Sequence, residues 1–144
     1  MSRTKLSRGI RNNNPGNIRL TASPFQGEIN PSQDREFKQF KGAEWGYRAI
    51  FLIIHNYAVL YGIDTLDKII KRWAPPVEND TSIYIEVVAK RMNLYRTSHI
   101  DSLNRDTMLK LVTAMVKIEC GVEPERDKME RGWELFAEGR DVTN

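Results

Sequence analysis

GYRAIFLIIHNYAVLYG, residues 46–62, carries the clearest helical pattern in the chain. Its apolar residues recur at spacings of three and four, which is the period of one face of an α-helix, and a glycine closes the run. The residues on this face are Ile50, Ile53, Ile54, Tyr57 and Tyr61. The pattern predicts a long helix that ends at Gly62.

Four more helices are predicted towards the C-terminus, each from a capping residue and an apolar face. Pro75 and Pro76 stop the first of them, because proline cannot donate a backbone hydrogen bond. The expected limits are Thr65–Trp73, Asp80 or Thr81 to Asn93, Asn104 or Asp106 to Gly121, and Glu125–Ala137. The fold class that follows is mainly α.

The N-terminal third has no helical period. Residues 8–19, RGIRNNNPGNIR, contain asparagine, proline and glycine at a density typical of consecutive turns, which predicts an ordered loop. A short β-prone run between Phe37 and Phe40, with turn residues before it, predicts a small irregular β-lobe over residues 18–40. Residues 1–7 are predicted to form a flexible basic tail, and residues 8–144 a single domain.

The composition is that of an ordinary globular protein. Hydrophobic residues make up 40% and charged residues 28% of the 144 residues, and a chain of this length is sufficient for one core. The single cysteine, Cys120, excludes an internal disulfide and a cysteine-based zinc site. His55 and His99 lack a metal-binding spacing, and no phosphate-binding loop is present, so neither a metal nor another cofactor is predicted.

The charge and the termini restrict the possible partners. The net charge of +3 suits an anionic polymer, but the basic residues are interleaved with acids and no recognition helix stands out, which argues against nucleic acid. No apolar stretch approaches the roughly 20 residues that span a bilayer. The basic N-terminus has no apolar core, so no signal peptide and no membrane insertion are predicted.

Glu119 is the first candidate for chemistry. It follows Met108, Val112 and Met115 at helical spacings of four, three and four, which places a carboxylate on an otherwise apolar helix face. Desolvation there would raise its pKa, as a general acid requires. The structural alternative is that Glu119 points outward at the helix end or pairs with Arg48 or Arg91.

Two polar clusters are candidates for binding sugars, and each also has a structural explanation. In the first, an indole lies next to amides and carboxylates, a combination that suits pyranose rings, but these residues also fit a helix-to-helix corner. In the second, asparagines offer donors and acceptors for acetamido groups but also tolerate left-handed turns. The binding candidates are Trp73, Glu78, Asn79, Asp80 and Tyr84 in the first cluster, and Asn13, Asn14 and Asn17 in the second.

Three segments resemble a family that is common in phages and prophages. They are RGIRNNNPGNIR at Arg8–Arg19, WGYRA at Trp45–Ala49 and IIKRWAPPVENDTSIYIEVVA at Ile69–Ala89. The likeness extends over roughly residues 8–121. Members of this family are usually described as virion structural proteins, so the resemblance implies a phage association, with other virion proteins as partners.

A more distant resemblance concerns chemistry. NNNPGNIR, followed by the run with Phe37 and Phe40, is similar to the turn and β-lobe of flagellar-type glucosaminidases, and ENDTSIYIEVV, residues 78–88, is similar to a helix start in lytic transglycosylases. Both families have the lysozyme-like fold. The resemblance therefore implies a lysozyme-like helical domain with a small irregular β-lobe.

The order of the motifs departs from those families. Their catalytic glutamate ends a helix that precedes the asparagine-rich turn, whereas residues 1–11 of this chain contain no acid. LVTAMVKIECGVEP, residues 111–124, looks like the missing glutamate helix. A circular permutation would place Glu119 in the position of the catalytic acid, and close termini make such a rearrangement feasible.

Two functional hypotheses follow from the resemblance. The first is cleavage of peptidoglycan glycan strands by a muramidase or lytic transglycosylase in which Glu119 is the acid. It would be carried in a virion or released from the host cytoplasm, and would act in the periplasm or cell wall. The second is a non-catalytic virion structural or cell-wall-binding protein of the same fold.

Overall fold

A computed structural model describes the backbone of residues 7–75 and 80–143, and side chains up to residue 139. The described part contains six helices. They are α1 (Arg8–Arg11), α2 (Ala43–Tyr61), α3 (Leu66–Trp73), α4 (Thr81–Met92), α5 (Arg105–Cys120) and α6 (Arg126–Thr143). The predicted mainly α fold class is confirmed.

The ends of the central helices follow the capping signals in the sequence. Gly62 and Gly121 follow α2 and α5 with φ angles of 67° and 75°, a left-handed conformation that glycine adopts without steric cost. The Asp80 carboxylate accepts the Ile83 N–H at the start of α4, and Asn93 ends that helix in the left-handed region. The predicted C-terminal ends of α2, α3, α4 and α5 are confirmed.

Three helical limits differ from the prediction. Residues 8–11 form the short helix α1 rather than a loop, because the Ser7 hydroxyl caps it by accepting the Ile10 N–H. Helix α2 begins at Ala43, three residues before the predicted start. Helix α6 continues past Ala137 to Thr143, and Arg131 supports this longer helix through ion pairs with Glu134 and Glu138.

The chain divides into two compact units, and the divisions fall within α2 and α5. Unit 1 comprises the described parts of Met1–Ile50 and Val116–Asn144, and unit 2 is Phe51–Met115. In unit 2, α3 packs against α4, and the Thr81 hydroxyl donates a 2.6 Å hydrogen bond to the Ala74 carbonyl. No described helix is long and apolar enough to cross a membrane.

The β-lobe of unit 1 is irregular, as predicted. Residues 36–41 pair on one side with residues 18–20 and on the other with residues 27–29, through isolated antiparallel bridges at Arg19–Phe37 and Glu28–Phe40. The run from Phe37 to Phe40 therefore lies at the centre of the lobe. Its first half pairs with one neighbour and its second half with the other, so neither pairing extends into a regular strand ladder. The Phe40 N–H also donates to the Asn12 carbonyl, which ties the lobe to the turn that precedes it.

An ion pair joins α1 to the lobe and gives a pH-dependent contribution to stability. Arg8 donates to both Asp34 carboxylate oxygens at 2.8 and 2.9 Å, and Asn12 donates to one of them at 3.0 Å. The bonds from Arg8, followed by those from the Glu36 N–H and from Asn12, hold the pKa of Asp34 well below its usual range. A carboxyl with a lowered folded-state pKa contributes stability above its unfolded value of about 3.9, and this is lost as the pH falls further.

Asp34→Asn should therefore destabilise the protein at pH 7 and have a smaller effect at pH 3. Urea unfolding at the two pH values measures the difference. Asp127→Asn, which removes a carboxylate from the first turn of α6, is the control for a general charge effect. An equal loss for Asp34→Asn at both pH values would contradict the assignment.

Candidate functional site

The turn over residues 12–17, here called the Asn-rich turn, is held in place by its own amides. Asn14 is fully buried; its Nδ2 donates to the carbonyls of Ile18 and Lys38 at 2.9 Å, and its Oδ1 accepts the Ile18 N–H at 2.9 Å. All three bonds link the turn to the β-lobe. Asn14 thus has a structural role, and its binding of substrate stays a prediction.

Asn13 and Asn17 adopt positive φ angles of 53° and 50°, a conformation that asparagine tolerates better than most residues. The Asn13 amide donates to the Phe40 carbonyl at 3.1 Å. Helix α2 passes so close to the turn that a Cβ at Gly46 would lie 2.3 Å from the Asn13 carbonyl oxygen. Glycine at position 46 therefore lets α2 approach the turn.

The structure brings Glu119 to the Asn-rich turn, although Glu119 and Asn17 are 102 positions apart in the sequence. The Asn17 Nδ2 donates to the Glu119 carboxylate at Oε1 and to the Glu119 backbone carbonyl, both at 3.2 Å. Glu119 is half-buried in the last turn of α5. A single amide thus fixes both the helix end and one carboxylate oxygen.

Cys120 closes the junction between α5, α1 and the turn. Its thiol donates to the Pro15 carbonyl at 3.3 Å, and a Cβ at Gly9 would lie 2.8 Å from the sulfur. Burial, together with the nearby Glu119 charge, raises the pKa of the Cys120 thiol despite a hydrogen bond from Ser7. The side chain therefore remains a thiol, which does not suit a cysteine nucleophile.

A cavity of about 430 Å³ lies beside this junction, within unit 1. Its walls come from α1, the Asn-rich turn, the start of α2 and the segment between α5 and α6. The lining residues are Ser7, Gly9, Ile10, Asn13, Pro15, Ala43, Tyr47, Cys120, Val122, Glu123 and Glu125. Unit 1 thus contains the half-buried carboxylate of Glu119 and a cavity of ligand size. Cys120, which follows Glu119 in the chain, lines this cavity.

No protein-family model matches the chain. The chain is 38% identical over 134 residues to Protein P5 of Pseudoalteromonas phage PM2, and the match covers 90% of this chain and 82% of Protein P5. It belongs to the Protein P5 family. The phage association implied by the sequence resemblance is therefore correct at the level of a phage protein family.

In this member of the Protein P5 family, the first of the two predicted sugar-binding clusters, which contains Trp73, lies in unit 2. Trp73 is half-buried at the end of α3, Asp80 caps α4, and Tyr84 is buried, with 6% of its surface exposed. Glu78 and Asn79 lie outside the described residues. The contribution of this cluster to sugar binding stays a prediction.

Two features of this Protein P5 relative were missed from the sequence. One is the cavity, whose lining residues are dispersed over three segments of the chain, residues 7–15, 43–47 and 120–125. The other is a fully buried ion pair in the β-lobe between Lys38 and Glu28, whose side chains are 0% and 2% exposed. Strand alternation could have revealed it, since Lys38 and Phe40 share a face and Phe40 is a core residue. Among the described residues, no group of histidine, cysteine, aspartate and glutamate has the arrangement of a metal site.

Proposed function

We propose that the chain cleaves the β-1,4 bond between N-acetylmuramic acid and N-acetylglucosamine in peptidoglycan, with Glu119 as the general acid. The observation that supports this is the hydrogen bond between the Asn17 amide and the Glu119 carboxylate. In the glycosidase families that the sequence resembles, the glutamate-bearing helix precedes the asparagine-rich turn. Here the two motifs are far apart in sequence and adjacent in space.

This adjacency is what a circular permutation of a lysozyme-like domain would produce. Moving the glutamate helix to the C-terminal side changes the order of the chain but leaves helix end and turn in contact. The 4-residue helix α1 occupies the position in the sequence where the glutamate helix of those families stands. We therefore retain one lysozyme-like domain over residues 8–144 as part of the proposal.

In the proposed reaction, Glu119 donates a proton to the glycosidic oxygen as the bond to the anomeric carbon breaks. The Asn17 N–H holds Oε1 as the carbonyl oxygen of the acid, so the proton is carried on Oε2. Asn17 is therefore a positioning residue. The leaving sugar departs as an alcohol, and the oxocarbenium-like centre is attacked either by water or by the 6-hydroxyl of the same muramic acid.

The second carboxylate distinguishes these two outcomes. A hydrolase uses a partner carboxylate at roughly 5–5.5 Å for retention or 6.5–9.5 Å for inversion. Asp80, one of the two sequence candidates, caps α4 through the Ile83 N–H, and Glu78 lies outside the described residues. A lytic transglycosylase needs only Glu119, and it is the outcome expected if neither Glu78 nor Asp80 supplies the second carboxylate.

The positioning role of Asn17 is testable with glycine, which keeps the positive φ angle while removing the amide. We expect Asn17→Gly to lower kcat by about 10-fold to 100-fold with little change in KM, because Glu119 becomes charged as it gives up its proton and a hydrogen bond to a charged group contributes roughly 1.5–3 kcal/mol. Release of muropeptides over time measures both constants. Asn93→Gly, at another positive φ position, is the matched control and should retain activity.

A second candidate function is a non-catalytic virion structural or wall-binding protein of the same fold. The contact between Asn17 and Glu119 also supports this non-catalytic function. Asn17 donates to the Glu119 backbone carbonyl as well as to its carboxylate, and the two bonds together anchor the end of α5 to the turn. Digestion of purified peptidoglycan by the wild type decides between the two functions. Anhydro-muropeptides indicate a transglycosylase, reducing ends indicate a hydrolase, and binding without soluble fragments indicates the non-catalytic protein.

A further inference from the structure

Tyr47 brings a buried hydroxyl to the wall of the cavity in unit 1. The residue lines the cavity with only 2% of its surface exposed, and its hydroxyl accepts the N–H of Glu125, which is also a lining residue. Within the part of the chain that the structure describes, this hydroxyl donates its own proton to no acceptor. Because a buried donor without a partner is unfavourable, the position favours a ligand that offers an acceptor.

The hydroxyl and thiol groups of the lining are uncharged near pH 7. Burial, followed by the charges of Cys120 and Glu125, raises the pKa of Tyr47, and burial also raises the pKa of the Cys120 thiol. This thiol donates to the Pro15 carbonyl and accepts a hydrogen bond from Ser7, so it already has its partners. The Glu125 charge that acts on Tyr47 also repels an anionic acceptor, which leaves a neutral carbonyl oxygen as the suitable partner for the Tyr47 O–H.

Aliphatic residues supply much of the remaining lining. Ile10, Pro15 and Ala43 are among them, and Val122 joins them from the bend between α5 and α6 with 47% of its surface exposed. A valine this exposed is not part of the core, so its methyl groups remain available to a ligand. Covering them removes apolar surface from water, which favours a ligand with a small apolar group. A neutral carbonyl next to a methyl group matches both the hydroxyl and these walls.

We infer that the cavity binds a neutral amide that carries a methyl group, with its carbonyl oxygen accepting the Tyr47 O–H and its methyl group against the aliphatic wall. Peptidoglycan presents this chemistry in two places, the acetamido groups of its sugars and the lactyl-alanyl arm of muramic acid. The choice of peptidoglycan rests on the proposed function, whereas the chemistry of the group rests on the lining. Cys120 lines the cavity and directly follows Glu119, so a glycan held at Glu119 would carry such amides close to it.

Saturation-transfer NMR on the full chain tests the inference, because it shows which protons of a ligand contact the protein. Chitotetraose, the β-1,4-linked tetramer of N-acetylglucosamine, is compared with cellotetraose, which has the same backbone without acetamido groups and should not bind. The other probe is N-acetylmuramoyl-L-alanyl-D-isoglutamine, whose acetyl, lactyl and alanyl methyl groups give separate signals. Transfer to the acetyl methyl groups identifies the acetamido group as the ligand, and transfer confined to the lactyl and alanyl methyl groups identifies the arm of muramic acid.

Two variants connect this binding to the cavity. Tyr47→Phe removes the donor and keeps the ring, so the Kd of the probe that binds should rise by about 2-fold to 10-fold, the effect of one neutral hydrogen bond. Tyr57→Phe makes the same change on the same helix outside the lining, and should bind as the wild type does. Val122→Ser removes methyl groups from the wall and should raise the Kd about 3-fold, whereas Val59→Ser, at an exposed position of α2, should not. Because Val122 is exposed, its variant tests the cavity even if Tyr47→Phe lowers the unfolding temperature.

The inference is overturned if no methyl group receives saturation, if cellotetraose binds as well as chitotetraose, or if folded Tyr47→Phe and Val122→Ser both keep the wild-type Kd. Its failure differs from that of the proposed function. If the cavity inference alone is wrong, the wild type will release muropeptides while the cavity variants leave binding unchanged. If glycan cleavage alone is wrong, no muropeptides will appear, yet a methyl amide will bind and Tyr47→Phe will weaken its binding.

Discussion

Glu119→Gln is expected to reduce the release of soluble muropeptides from purified peptidoglycan by about 100-fold to 10,000-fold, the range typical of a lost general acid. Glutamine has the same shape and can still accept the Asn17 N–H through its carbonyl oxygen, so the junction between α5 and the Asn-rich turn should persist. It cannot supply the proton. Mass spectrometry of the released fragments measures both the rate and the type of product.

The matched control for this variant is Glu86→Gln, which makes the same change at an exposed position on α4. It should leave the digestion rate unchanged. Circular dichroism and the thermal unfolding temperature establish that Glu119→Gln is folded. Digestion at the wild-type rate by a folded Glu119→Gln protein would refute the assignment of Glu119, and the non-catalytic function would follow if the wild type released nothing.

The second large effect is expected at the buried ion pair of the β-lobe. Lys38 Nζ lies 3.0 Å from both carboxylate oxygens of Glu28 and also donates to the carbonyls of Thr21 and Ser23. Removing one partner leaves a buried charge without compensation. Lys38→Met and Glu28→Gln should therefore each lower the free energy of unfolding by about 3–5 kcal/mol, as measured by urea denaturation.

Two comparisons isolate the buried charge as the cause. Glu36→Gln affects an ion pair in the same lobe that is exposed to solvent, so its effect should stay below about 1 kcal/mol. The double variant Lys38→Met/Glu28→Met should lose less stability than the sum of its single variants, because no unpaired charge remains. Single variants as stable as Glu36→Gln would show that the pair does not hold the lobe together.

The ion pair also bears on the site. The backbone carbonyl of Lys38 accepts a hydrogen bond from Asn14, so the strand that carries the buried lysine also supports the Asn-rich turn. Destabilising the lobe should therefore lower activity in proportion to the unfolded fraction. Asn17→Gly differs in this respect, since its expected loss lies in kcat of the folded protein.

Local signals account for the helices that were predicted correctly. Helix-capping residues act on backbone groups within a few positions, so their effect can be deduced from the local sequence. Asp80 at the start of α4 and Asn93 at its end are examples, as are the glycines that end helices. The 4-residue helix α1 was missed because so short a helix has no apolar period, and only the Ser7 cap marks its start.

The mainly α fold class and the C-terminal ends of four helices followed from the amino-acid sequence alone, which also nominated the residues that are proposed to act on a glycan. Periodicity and capping are local properties, and a carboxylate on an apolar helix face is visible within one helix. The folded structure was needed to show that Glu119 meets Asn17, that Lys38 is buried against Glu28 and that three separate segments enclose a cavity. These contacts join residues that are distant in the chain, and no local pattern specifies which distant partner a side chain will reach once the core has formed.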